Sequence, residues 1–66
     1  MMTTWSGIYT TATLDRMGRL LLKHEDGSET YLQPGDDANG LITLLEREDI
    51  TDDDIDSLIS DYLPEF

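Results

Sequence analysis

Acidic side chains are the residues of this chain whose number and spacing could do chemistry. Seven of the eleven positions from Glu46 to Asp56 (EREDITDDDID) are Asp or Glu. Residues 34–66 carry eleven acids against Arg47 alone, a net charge of −10, and residues 1–33 carry four acids against three basic residues, a net charge of −1. Together they give −11. A surface with this charge repels nucleic acid and membranes and attracts basic grooves on proteins.

Metal binding is the first chemistry that such a cluster suggests. Asp52, Asp53, Asp54 and Asp56 are close in sequence, and Ca²⁺ prefers carboxylate oxygens. The calcium loop of an EF-hand also needs glycine at its sixth position and glutamate at its twelfth, and no glycine stands at the sixth position from any of these aspartates. We therefore expect no specific metal site and no cofactor.

Catalysis has little support in the sequence. His24 is the single histidine, and we expect it in a solvated hairpin opposite Glu29. There is no cysteine, no glycine-rich phosphate loop and no HExxH motif. The prediction is a protein that is not an enzyme. The lack of cysteine fits a reducing cytoplasm.

The N-terminal half has the composition of β-strands. Aromatic and β-branched residues fill positions 5–14, and apolar residues recur in 19–25 and 28–33. Asp15 to Gly18 (DRMG) predicts the first turn. We expect a three-stranded antiparallel meander over residues 1–33.

The second hairpin depends on Asp26-Gly27, a strong signal for a two-residue loop. That loop would place Leu22 opposite Tyr31 and Leu21 opposite Leu32. The alternation does not decide which sheet face is buried, since Leu22 points away from Leu21.

The C-terminal half predicts two helices. The first spans 36–47, with Asp36 or Asp37 as its N-cap because a side-chain oxygen there can accept from a free backbone N–H. One face of this helix carries Ala38, Leu41, Leu44, Leu45 and Glu48, with Ile42 at its margin.

The second helix spans 51–63 and begins with a capping box of Thr51 and Asp54. Pro64 is expected to end it. Its expected core-facing residues are Ile55, Leu58, Ile59, Tyr62 and Leu63. The fold class is thus α+β, a single β-β-β-α-α domain over residues 1–66 with an acidic helical surface.

A set of outward acids on these helices is the candidate binding site. We call this set the acidic ridge, and its members are Glu46, Glu48, Asp49, Asp52, Asp53, Asp56 and Asp61. Asp53 and Asp56 would be about 4.5 Å apart along a helix, and one DNA strand carries a phosphate about every 3.4 Å. A row of carboxylates could therefore imitate a phosphate backbone.

Simpler explanations of the acids stay open. Aspartates in a first helical turn favour the helix dipole by about 0.3–1 kcal/mol each, and acids keep small proteins soluble. A halophilic source would also explain the charge. Trp5, Tyr9 and Tyr31 either form a contact patch or pack the core, and packing is the commoner fate of aromatic residues.

The sequence also limits the location of the protein. The longest apolar run has three residues, Leu20 to Leu22, which is too short to cross a membrane. The N-terminus has no basic segment followed by an apolar stretch, so we expect no signal peptide. We expect a cytoplasmic monomer that binds neither membranes nor nucleic acid directly.

Two segments, Thr30–Glu46 (TYLQPGDDANGLITLLE) and Ile50–Leu63 (ITDDDIDSLISDYL), resemble the very small acidic anti-CRISPR proteins of phages and mobile elements, in particular inhibitors of the type I-C Cascade complex. The resemblance implies a small α+β fold without catalysis that acts in the cytoplasm of a bacterial host. It also implies binding to the large Cas8-type subunit where that subunit recognises DNA beside the protospacer.

The predicted function is therefore non-catalytic inhibition of a CRISPR-Cas effector by DNA mimicry, so that target DNA cannot bind. The alternative is an acidic antitoxin or adaptor that covers a basic protein surface. Such a protein would add an apolar contact through Trp5 and Tyr9.

Overall fold

The first predicted strand is divided into two strands in the computed structural model, which describes residues 2–63. β1 spans Thr3–Ser6 and β2 spans Thr10–Leu14, and they pair antiparallel with Trp5 opposite Ala12. The sheet consequently has four strands in the order β1-β2-β3-β4. The α+β class is confirmed, and the prediction of three strands is wrong.

The second hairpin differs from its predicted register by one residue. β3 (Leu20–His24) and β4 (Glu29–Leu32) pair with Leu21 opposite Tyr31, instead of Leu22 opposite Tyr31. The cause is a three-residue loop. The N–H of His24 donates to the oxygen of Ser28 over 2.9 Å, and Gly27 has a left-handed φ of 95°. A glycine in this conformation is typical of a turn followed by a bulge.

This register changes the neighbours of the only histidine. Lys23 lies opposite Glu29, and His24 lies opposite Thr10. The predicted pair of His24 and Glu29 is therefore not formed. The predicted turn from Asp15 to Gly18 is confirmed, since the N–H of Gly18 donates to the backbone oxygen of Asp15 over 3.2 Å.

The buried face of the sheet is the one that carries Leu20 and Leu22. Both side chains are fully buried, as is Ala12 on the neighbouring strand, and Leu21 is partly exposed on the opposite face. The structure thus answers the question of orientation that the alternating sequence left open.

The first helix, α1, spans Asp36–Leu45, two residues shorter than predicted. Its N-cap is Gly35, and no side chain forms a cap hydrogen bond. Asp36 and Asp37 are therefore not caps but lie in the first turn, where their charge still favours the helix dipole.

The buried side of α1 is narrower than predicted. Ala38, Leu41 and Leu45 are buried, whereas Leu44 is 39% exposed at the edge of this stripe. Glu48 lies beyond the end of the helix and is exposed, so it does not extend the core-facing side.

The second helix, α2, spans Asp52–Ser60 and has the predicted capping box. The N–H of Asp54 donates to Oγ1 of Thr51, and the N–H of Thr51 donates to Oδ2 of Asp54, both over 3.2 Å. The helix ends before residue 63 because the N–H of Tyr62 bonds only three residues back, to Ile59. The predicted stop at Pro64 lies outside the described residues.

One hydrophobic core joins the sheet to both helices. Partly buried residues that include Trp5, Leu32 and Leu58 pack around it. Its buried members are Ala12, Leu20, Leu22, Leu41, Leu45, Ile55 and Ile59. No helix within residues 2–63 is long and apolar enough to cross a membrane.

Candidate functional site

The exposed acids of the ridge lie at the C-cap of α1, on the segment between the helices, in the first turn of α2 and at the C-cap of α2. Six of the seven residues of the acidic ridge are exposed, and they are Glu46, Glu48, Asp49, Asp52, Asp53 and Asp61. Glu46 is the C-cap of α1 and Asp61 is the C-cap of α2. All six side chains are thus open to solvent, and their role in binding a partner stays a prediction.

Little positive charge offsets this group. Nη2 of Arg47 lies 3.1 Å from Oδ2 of Asp49, and both side chains are more than half exposed. Among the ion pairs within residues 2–63, this is the one that involves a ridge residue. Exposed pairs of this kind contribute about 0–1 kcal/mol, so Arg47 leaves most of the negative potential uncompensated.

Asp56 differs from the other six acids because it is partly buried and its carboxylate faces the β1–β2 turn, residues 7–9. Its Oδ1 accepts hydrogen bonds from the N–H of Tyr9 over 3.0 Å and from the N–H of Thr10 over 3.1 Å, and its Oδ2 accepts from the N–H of Ile8 over 3.0 Å. The hydroxyl of Thr10 donates to Oδ1 over 2.8 Å. The expectation that Asp56 projects outward is therefore wrong.

The β1–β2 turn depends on this carboxylate. The N–H of Gly7 donates to the backbone oxygen of Thr10 over 2.8 Å. The N–H of Thr10 donates to Asp56 and not back to the oxygen of Gly7. Three successive backbone donors, of Ile8, Tyr9 and Thr10, thus converge on one side chain. Asp56 satisfies donors that the short hairpin cannot satisfy itself.

The environment of Asp56 alters its acidity. Partial burial raises its pKa, but the hydrogen bonds from Tyr9, Thr10 and Ile8 outweigh that effect and hold the pKa of the carboxyl below its ordinary value. Hydrogen bonds of this kind favour the charged form. Asp56 is therefore an anion that the fold uses internally.

Gly7 allows α2 to approach the turn closely. A Cβ at position 7 would collide with the carboxylate of Asp56 and lie 3.0 Å from the backbone oxygen of Asp52. Asp52 and Asp56 are four residues apart and lie on the same side of α2. The turn consequently sits directly beside the first turn of the helix, where the exposed acids are densest.

The turn itself presents apolar side chains to solvent. Ile8 is 57% exposed and Tyr9 is 53% exposed, although both are large and hydrophobic. Tyr31 is 58% exposed on β4, on the sheet face away from the helices, and Trp5 packs against the core. Of the three aromatic residues in question, Trp5 therefore follows the packing alternative, and the two tyrosines are free to make contacts.

The sequence contained one signal for this turn. An isolated glycine inside a strand pattern often marks a close approach of the backbone, and Gly7 is such a residue. The β-forming character of Ile8 and Tyr9 obscured it, because both residues favour a continuous strand.

No group of three or more His, Asp or Glu side chains within residues 2–63 is arranged to hold a metal ion. Hydrogen bonding by the side chain of Ser28, and then by its backbone N–H, lowers the pKa of the Asp26 carboxyl, and the N–H bond is 2.8 Å long. The role of Asp26 is thus to shape the β3–β4 loop.

The fold and site together define a small α+β domain with exposed acids beside a turn that presents Ile8 and Tyr9 to solvent. No protein family, curated protein or solved structure matches the chain. The function is therefore inferred from this surface.

Proposed function

We propose that the protein is a non-catalytic inhibitor that occupies the DNA-binding groove of a basic protein. The observation that supports this is the exposure of six ridge acids with Arg47 as their one described cationic partner. Opposite potentials speed the encounter of two proteins and favour the correct partner. The inhibitor would act by filling the groove before DNA does.

Asp56 is not part of the binding surface in this proposal. Its carboxylate is engaged by the β1–β2 turn, so it cannot also face a partner. Asp53, in the first turn of α2, and Asp61, its C-cap, are about 12 Å apart along the helix axis at 1.5 Å per residue and about 80° apart around it. This span corresponds to about three or four phosphates of one DNA strand.

The proposed target is a CRISPR-Cas effector, specifically the Cas8-type large subunit of the type I-C Cascade complex. This part of the proposal rests on the resemblance of residues 30–46 and 50–63 to small acidic anti-CRISPR proteins. The large subunit must hold duplex DNA beside the protospacer, and a carboxylate surface is a suitable competitor for such a groove.

The test is charge reversal that spares the fold. The double variant D53K/D61K keeps Asp56 and the capping box intact, and its matched control is D36K/D37K. Each Asp→Lys change adds two charges, so both variants move the net charge from −11 to about −7. Purified type I-C Cascade is titrated with each protein, and binding of a fluorescent target duplex is measured.

We expect D53K/D61K to lose most of its inhibition while D36K/D37K stays close to wild type. Circular dichroism must show both variants folded. Equal inhibition by D53K/D61K and wild type would overturn mimicry by this surface. Equal losses in both variants would mean that net charge matters and the position of the acids does not.

A further inference from the structure

We infer that the β1–β2 turn is the apolar anchor of the partner interface, with Ile8 and Tyr9 inserted into an apolar pocket whose rim is basic. The inference rests on the proposed function and adds a contact that charge alone does not supply. Ile8 and Tyr9 are more than half exposed on a turn that touches the acidic end of α2.

Carboxylates alone make a poor centre for an interface. Charged residues are depleted at interface cores, whereas tyrosine and other aromatic residues are enriched there. A few anchors of this kind carry most of the binding energy and are surrounded by polar contacts. The acids of α2 provide polar contacts on one side of Tyr9. On its other side, a shallow depression beside the turn is lined in part by Lys23 and Glu25, which provide further polar contacts.

The turn is held in place before any partner arrives. The N–H of Tyr9 donates to Oδ1 of Asp56 over 3.0 Å, and the oxygen of Tyr9 accepts from the N–H of Glu25 over 2.9 Å. Both sides of its backbone are thus fixed, one by α2 and one by the first residue of the β3–β4 loop. A preorganised anchor loses less conformational entropy on binding than a mobile loop does.

Charge complementarity identifies the occupant as a basic protein and not a second copy of this chain. Asp52 lies against the turn through its backbone, and its side chain is exposed. A symmetric contact through Ile8 and Tyr9 would bring the Asp52 and Asp53 side chains of two copies together, and like charges in an interface are costly. A pocket with a basic rim would neutralise them.

The experiment compares truncation of two equally exposed tyrosines. Y9A removes the proposed anchor, and Y31A removes a side chain of similar exposure on the far face of the sheet. Asp56 binds the backbone of Tyr9, so Y9A retains the hydrogen bonds that hold the turn. I8A is a second variant of the anchor, and Y9F keeps the ring without the hydroxyl.

Affinity for purified type I-C Cascade is measured by calorimetry over a range of NaCl concentrations. We expect Y9A to bind at least about tenfold more weakly, which corresponds to about 1.4 kcal/mol, with an unchanged dependence on salt. I8A should also lose affinity, whereas Y9F and Y31A should stay close to wild type. D53K/D61K should instead flatten the salt dependence.

Two failures can be told apart. If D53K/D61K loses binding but Y9A and I8A bind like Y31A, the anchor is wrong and the acidic interface stands. If D53K/D61K binds like wild type, or wild type does not bind, the proposed function fails and this inference fails with it.

Discussion

Oδ1 of Asp56 accepts two hydrogen bonds from Thr10, one from the hydroxyl over 2.8 Å and one from the backbone N–H over 3.1 Å. The two residues are 46 positions apart, and Thr10 is only 2% exposed. This contact connects the first hairpin to the last helix. It also makes one residue of a strongly acidic segment a component of the fold.

We expect D56N to destabilise the protein more than D53N does. Asparagine has a similar size but offers one carbonyl oxygen in place of two carboxylate oxygens, so donors among Ile8, Tyr9 and Thr10 would be left with weaker bonds or none. Asp53 is exposed on the same helix and has no described side-chain hydrogen bond within residues 2–63. Urea denaturation followed by circular dichroism would measure both variants. Equal midpoints would contradict a structural role for Asp56.

The acid sensitivity of the protein should depend partly on the same carboxylate. The hydrogen bonds to Asp56 place its folded pKa below the ordinary value. The stabilisation is therefore fully present above the unfolded pKa of about 3.9 and is lost as pH falls through the folded pKa. We expect wild type to lose this contribution below about pH 4.

The variants D56N and D53N separate this effect from general relief of repulsion in acid. Both remove one negative charge, but only D56N removes the carboxylate whose pKa is lowered by the turn. Between about pH 5 and pH 3, the free energy of unfolding should fall less steeply in D56N than in D53N. Parallel pH profiles of the two variants would contradict the assignment.

Gly7→Ala should destabilise the protein through crowding between the turn and α2. The added methyl would collide with the carboxylate of Asp56 and approach the backbone oxygen of Asp52 to 3.0 Å. Overpacking of this kind costs about 1–3 kcal/mol. The control is Gly40→Ala. Gly40 lies in α1, a Cβ added there would have no neighbouring atom within 4 Å, and alanine favours a helix more than glycine does. Thermal melts should show a loss for G7A and a gain for G40A.

Local sequence signals predicted the parts of the fold that local chemistry controls. The capping box of Thr51 and Asp54 and the apolar spacing of Ile55 and Ile59 appear in the structure as expected. The prediction of a two-residue loop at Asp26-Gly27 was wrong, because the same dipeptide also suits a three-residue loop with glycine in the left-handed position. That choice shifted the pairing by one residue.

The division of the first strand could not be predicted from its neighbours in sequence. Its turn lacks an Asn-Gly or Asp-Gly pair and is completed by Asp56, which is 48 residues from Ile8. Helical phasing also placed Asp56 among the outward acids. Asp56 lies on the flank of α2, beside the core-facing Ile55, and a flank position can face either solvent or a neighbouring element. The contact that gives Asp56 its role is formed only when the hairpin and the helix pack together.

The free protein should become more stable as salt is added. Residues 34–66 have a net charge of −10, and the described ion pair of that half, Arg47–Asp49, is largely exposed. The other described pair with arginine, Arg19–Asp15, is partly exposed and lies in the N-terminal half. Raising ionic strength from 0.1 M to 1 M shortens the Debye length from about 10 Å to about 3 Å and weakens the repulsion between exposed carboxylates. The melting temperature should therefore rise with NaCl, and it should rise less in D53K/D61K because that variant has less repulsion to screen. A melting temperature that falls with NaCl, or an equal rise in both proteins, would mean that repulsion among these acids does not limit stability.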